Sequence, residues 1–150
     1  MSLTLEVPSQ YGLVLAVATS TFFLNTIHFF RTAKFRKISG VGYPNAYAST
    51  ELADKNPAAH KFNCAQRAHA NFTENHTPFL GALLISGLRF PVAAAVVGAA
   101  WAVSRVLFVL GYTSDAGPKG RRVGSAGSFI TDTILKGLAV YTSYVLVTGQ

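Results

Sequence analysis

Tyr11 to Phe30 (YGLVLAVATSTFFLNTIHFF) is a run of twenty residues without a formal charge. A helix of that length covers about 30 Å, the thickness of the hydrocarbon layer of a bilayer. A signal peptide is the rival reading, but Glu6 is the only charge before residue 31, so no basic segment precedes the run. The run is also too long for one. Two more stretches resemble it. Pro91 to Tyr112 contains a single Arg, and Ala126 to Thr148 a single Asp and a single Lys. Charged residues make up only 13% of the 150, about half the share usual in soluble chains. The expected class is an all-α membrane protein, one domain over residues 1–150 with three directly apolar spans.

A fourth span requires a polar segment. Phe79 to Leu88 (FLGALLISGL) is too short to cross alone. It crosses only by borrowing residues from about Ala58 onward, which include FNCAQRAHANFTENHTPFL, residues 62–80. Asn63, Arg67, Asn71, Glu74 and Pro78 follow i, i+4, i+8, i+11, i+15 spacing, which gathers them on one helical face. On one face they can turn away from lipid, toward other helices or water. Pro78 removes one backbone bond, tolerable where neighbours satisfy the freed carbonyl. The result is a four-transmembrane-helix bundle.

Charge placement tests that topology independently. Arg31, Lys34, Arg36, Lys37, Lys55 and Lys61 lie between the first and second spans, and Lys119, Arg121 and Arg122 between the third and fourth. The tail before the first span has no Lys or Arg, and the second connection has only Arg89. The positive-inside rule makes loops one and three cytosolic and puts both ends of the chain on the opposite face. The net charge of +7 is then mostly an orientation signal. No Gly-rich phosphate loop or zinc-type spacing supports a nucleic-acid partner.

Several polar residues have competing explanations. Asn63 and Asn71 suit interhelical hydrogen bonding, whereas Arg67 and Glu74 either pair or await a charged ligand. Trp101, Arg105, Phe108 and Tyr112 share a face of the third span; an intramembrane Arg needs a partner, and Glu74 and Asp132 are the candidates. Thr21, Asn25, His28 and Thr32 on the first span suit packing. Asp132 and Lys136, an i, i+4 pair, suit mutual neutralisation. His69, His76 and Cys64 match no tight metal-ligand spacing, so no metal is expected. The sequons at Asn71 and Asn75 fall within a span and are discounted. Arg121 and Arg122 stand near the start of the fourth span, where cations beside the positive end of a helix dipole favour an anion.

Four spans, with RAHAN inside the polar stretch, RVLFVLGYT ending the third span and YPNAYAS in the first loop, resemble the membrane-associated proteins in eicosanoid and glutathione metabolism. The nearest branch in appearance is the type 3 microsomal glutathione S-transferases. The resemblance covers nearly the whole chain, and its most specific part is Arg67-Ala-x-x-Asn71-x-x-Glu74 with a downstream Gly111-Tyr112. It implies a homotrimer that binds glutathione between neighbouring subunits near the cytosolic face, in the endoplasmic reticulum (microsomal) or outer mitochondrial membrane. Arg67, Asn71, Glu74 and Tyr112 then match glutathione-contacting positions. Arg121 matches the loop arginine that activates the thiol, with Arg122 as the competing assignment. His69 falls where the leukotriene C4 synthase branch has a glutathione-contacting Gln, and Arg31 lies one position from the family's basic residue at the end of the first helix. Phe108 and Asn75 depart from the pattern, standing where some relatives have glutathione-binding tyrosines.

The implied chemistry is consistent with these residue types. Glutathione carries two carboxylates and one ammonium, which call for Arg and for an acid such as Glu74. Lowering its thiol by about two units from roughly 8.5 takes ~2.7 kcal/mol of preference for the thiolate, within reach of one hydrogen-bonding Arg. The expected activity is that of a glutathione transferase or glutathione-dependent peroxidase, on a lipophilic electrophile or lipid hydroperoxide arriving from the bilayer, with glutathione as co-substrate. The alternatives are a non-catalytic lipid-binding accessory protein on the same scaffold and a small channel or transporter.

Overall fold

A computed structural model describes residues 7–149; Glu6 and Gln150 lie outside them. Among the described residues the chain is helical, without strands. The elements are α1 (Tyr11–Ser39), α2 (Thr50–Lys55), α3 (Pro57–Gly87), α4 (Pro91–Tyr112), a 3-10 turn (Gly117–Lys119) and α5 (Arg122–Thr148). The four long helices are the four expected segments. α3 runs unbroken through the polar stretch and Pro78 into FLGALLISGL, so the borrowed residues do complete a helix of 31 residues, about 46 Å long.

Local signals set the boundaries. Gly40 closes α1 in the left-handed region at φ 72°, a conformation that favours glycine. The Ser49 hydroxyl accepts from the Leu52 amide to start α2, and Asn56 Oδ1 accepts from the Ala58 amide to start α3. Pro57 and Pro91 occupy first-turn positions, where their missing amide hydrogen costs nothing.

α3 and α4 each pack against all three other long helices, and α1 and α5 pack mainly against these two. At the centre the Phe79 and Trp101 rings stack at 3.7 Å, with Phe72, Leu83, Val14 and Leu135 buried around them. The surface is the inverse of a soluble protein. Phe23, Phe30, Phe129 and Val147 are 67%, 65%, 72% and 86% exposed. An apolar exterior of this extent suits lipid and not water. α1 and α4 are each long and apolar enough to cross a membrane. α5 falls short of that measure, so two helices and not three are apolar enough by themselves. Asp132, Lys136 and a series of hydroxyl side chains make the difference.

α4 and α5 approach closely because α5 carries glycines at the contact. A Cβ on Gly124 would sit 2.6 Å from Phe108 Cα and 2.6 Å from Ser104 O. Gly111 and Gly120 likewise face each other so closely that a Cβ on either would meet the other's carbonyl. This pair brings Arg121, the residue before α5, against the end of α4. Gly124→Ala is therefore expected to separate the two helices and destabilise the protein by roughly 1–3 kcal/mol, read as a lowered unfolding temperature in detergent. An unchanged temperature would show that the close approach is not required.

Candidate functional site

The polar face of α3 divides in three. Asn63 serves the first loop: its Nδ2 donates to Ala48 O at 3.0 Å and its Oδ1 accepts from Ala48 N at 2.8 Å. Asn71 turns into the bundle, where its Oδ1 accepts from Arg105 Nη2 at 2.9 Å. Arg67 and Glu74 turn outward and pair with each other, Nη1 to Oε1 at 3.1 Å, with side chains 48% and 53% exposed. Within one chain Asn71 thus faces the other helices, whereas Arg67 and Glu74 pair on the exposed surface. A ~40° step separates Arg67 from Asn71 around the helix, and the bundle's edge falls within it.

Arg105 is buried, 3% exposed. Its partner is neither Glu74 nor Asp132 but Asn71. Its guanidinium also lies 4.6, 5.6 and 5.8 Å from the ring centres of Phe108, Trp101 and Phe72, distances at which ring faces attract a cation. Trp101 and Phe108 are buried beside it, and Tyr112 is buried further along the same face, as their spacing predicts.

Arg121 meets the end of α4. Its guanidinium stands 4.9 Å from the Tyr112 ring and 6.0 Å from the Phe108 ring. Arg122 is the first residue of α5 and exposed. Both arginines line an outer hollow of about 420 Å³ together with Ser125, Ala126 and Phe129. Two cations, a helix start and an adjoining tyrosine ring suit an anion at this place.

The remaining candidates belong to the α1 side. Arg31 Nε donates to Thr113 Oγ1 at 2.6 Å, fastening α1 to the residue after Tyr112. His69 Nε2 lies 3.1 Å from Asn25 Oδ1, and its ring stacks on that of His28. His69 and Glu74 line a hollow of about 410 Å³ on the α3 surface with Gln66, Ala70 and Thr73. That hollow shares no lining residue with the one at Arg121. Within one chain the structure therefore joins Arg121, Arg122 and Tyr112, links Asn71 to their neighbourhood through Arg105 and Phe108, and leaves Arg67, Glu74 and His69 on a separate outward surface.

One polar arrangement escapes the pairwise reading of the sequence. Arg121, Ser125, Ser128 and Asp132 follow i, i+4, i+7, i+11 spacing down one face of α5. Ser125, Ser128 and Asp132 line an inner cavity of about 150 Å³ with Asn71, Asn75 and Arg105. Asp132 does pair with Lys136, at 2.5 Å, as its spacing predicts. The stripe itself is a spacing signal in the sequence, one that pairing Asp132 with Arg105 or Lys136 does not bring out.

A sequence model of the MAPEG family matches residues 14–141. That is most of the chain, and the protein belongs to this family. It is an integral membrane protein.

Outside the spans, Lys61 Nζ donates to Asp115 Oδ1 at 2.7 Å, tying the loop before Arg121 to the start of α3. This hydrogen bond and the Lys61 charge hold the Asp115 carboxyl below the usual carboxylate range. A depressed carboxylate stabilises the fold above its unfolded value of about 3.9, and that contribution disappears as pH falls through the folded value. Lys61→Ala should move the Asp115 carboxyl resonance midpoint up toward the ordinary value; an unmoved midpoint would dissociate the two groups.

Proposed function

We propose that this member of the MAPEG family is a glutathione transferase and glutathione-dependent peroxidase that activates the glutathione thiol near Arg121. The observation that carries the reading is the placement of Arg121 against Tyr112 at the start of α5, in a chain that also carries the Arg67-x-x-x-Asn71-x-x-Glu74 row. The thiol approaches Arg121, whose fixed positive charge favours the thiolate over the thiol. The glutathione carboxylates and ammonium are met by Arg67 and Glu74, with Asn71, His69, Arg31 and Arg122 as further contacts. A lipophilic electrophile reaches the thiolate from the bilayer. Attack on carbon yields a conjugate. Attack on a hydroperoxide oxygen yields an alcohol and a glutathione sulfenic acid, which a second glutathione converts to the disulfide and water.

The outward pair Arg67–Glu74 supports an assembly of several subunits. Two charges on the outer surface of a membrane helix are costly against lipid, roughly 2.5–3.5 kcal/mol each at mid-membrane. A neighbouring copy covering that surface removes the cost and brings a second set of side chains to the α3 hollow. This is the homotrimer with glutathione between subunits. Placing loops one and three in the cytosol, in an endoplasmic reticulum or outer mitochondrial membrane, belongs to the same reading.

A non-catalytic lipid-binding protein on the same scaffold is the second reading. Phe108 and Asn75 favour it, since neither offers the hydroxyl that a tyrosine would.

The two readings separate on mixing purified protein with glutathione. Near-ultraviolet thiolate absorbance should appear with the wild type and fall about twentyfold at pH 7 with Arg121→Ala, as expected for a thiol returned to about 8.5 from two units lower. Equal absorbance in both proteins would remove Arg121 from the role, and none in either would favour the lipid-binding reading. Arg67→Ala should raise the Kd for glutathione by about 10- to 100-fold, the loss of a charge-assisted hydrogen bond. An unchanged Kd would take Arg67 out of the site.

A further inference from the structure

The inner cavity sits between α3, α4 and α5, deeper in the bundle than Arg121 along α5. Arg105 and Asp132 line it from different helices, and each carries a buried polar atom without a hydrogen-bonding partner among the described protein groups, Nε on Arg105 and Oδ1 on Asp132. The two residues make no direct ion pair. Asn75, Ser125 and Ser128 add neutral donors and acceptors to the wall. Its volume of about 150 Å³ is well above the ~10–15 Å³ that one water needs on this measure. The cavity also adjoins the hollow of Arg121 and Arg122, because Ser125 and Phe129 line both.

We propose that the cavity is a hydrated chamber, continuous with the Arg121 hollow, in which ordered waters bridge Arg105 Nε to Asp132 Oδ1. A buried charge with a free donor, a carboxylate with one buried and free acceptor oxygen, and polar walls around several waters' worth of space satisfy the conditions for internal water. Arg105 and Asp132 then form a water-separated ion pair. Lys136 neutralises the other carboxylate oxygen. The pair has a consequence for the site above it. Arg105 Nη2 holds the Asn71 amide, so the bridged carboxylate fixes the guanidinium that fixes Asn71. Asp132 and Arg105 are accordingly positioning residues, acting on glutathione through Asn71. That last step rests on the glutathione reading; the hydration does not.

Two measurements on the full-length protein in liposomes test these statements separately. In a Cys64→Ala background, Ser128→Cys should react with a small hydrophilic methanethiosulfonate from the aqueous phase at least tenfold faster than Ala139→Cys, a buried position in the apolar core of the same helix. Equal, slow labelling of the two would overturn the hydrated chamber. Asp132→Leu should raise the KM for glutathione about tenfold with kcat within twofold of wild type. Asp132→Asn, which still offers an oxygen to water, should restore the KM to within about threefold. An unchanged KM in the leucine variant, or equal loss in both variants, would overturn the positioning role. A wild-type protein that does not bind glutathione would defeat the proposed function, and the labelling comparison would still decide the chamber.

Discussion

Arg105 holds a guanidinium inside a bundle whose outer surface is built for lipid, and the neighbouring elements are arranged around that charge. Taken alone, a cation at such depth costs several kcal/mol. Three aromatic faces and the Asn71 carbonyl offset the cost, Phe72 and Asn71 from one turn of α3 and Trp101 and Phe108 from α4. The consequence is that α3 and α4 are tied together by polar chemistry as well as by apolar contact. Directional hydrogen bonds in a low-dielectric interior specify one arrangement more sharply than interchangeable aliphatic contacts do.

The close approach of α4 and α5 serves the same region. Glycine at 124 lets the helices touch, and the Gly111–Gly120 apposition turns the chain tightly enough for Arg121 to lie on Tyr112. Membrane helices commonly use small residues in this way, because van der Waals contact and not the hydrophobic effect drives their association. Here the small residues also aim a cation. The helical hairpin that packs the bundle is thereby the device that places the arginine.

Much of this was legible in the amino-acid sequence. The uncharged run after Tyr11 marks α1, and the continuity of α3 through Pro78 follows from the length that FLGALLISGL lacks by itself. The Arg67–Glu74 and Asp132–Lys136 pairs follow from helical spacing. What spacing does not contain is the absolute orientation of a helix. A wheel places Arg67 and Asn71 about 40° apart but leaves open where the bundle's edge falls, and that edge sends one outward and the other inward. The Arg105–Asn71 bond joins residues 34 positions apart on different helices, and no periodicity within one helix encodes it. The division into two hollows depends on the interhelical distances in the same way. The Asp132–Lys136 pair accounts for one carboxylate oxygen, and spacing within α5 does not show that the other lines the cavity beside Arg105.

Asn63 makes both of its bonds to the backbone of a single residue, Ala48. A side-chain amide used like this imitates one peptide group beside another, so the first loop is indexed to α3 much as neighbouring strands are indexed in a sheet. Arg36 reinforces the arrangement, donating to Val41 O and Asn45 O while its guanidinium lies near the Tyr43 and Phe62 rings. The segment from Val41 to Ala48 is therefore held in fixed register, with Tyr43 and Tyr47 exposed on it. Length changes between Ala48 and Asn63 would shift that register by whole residues.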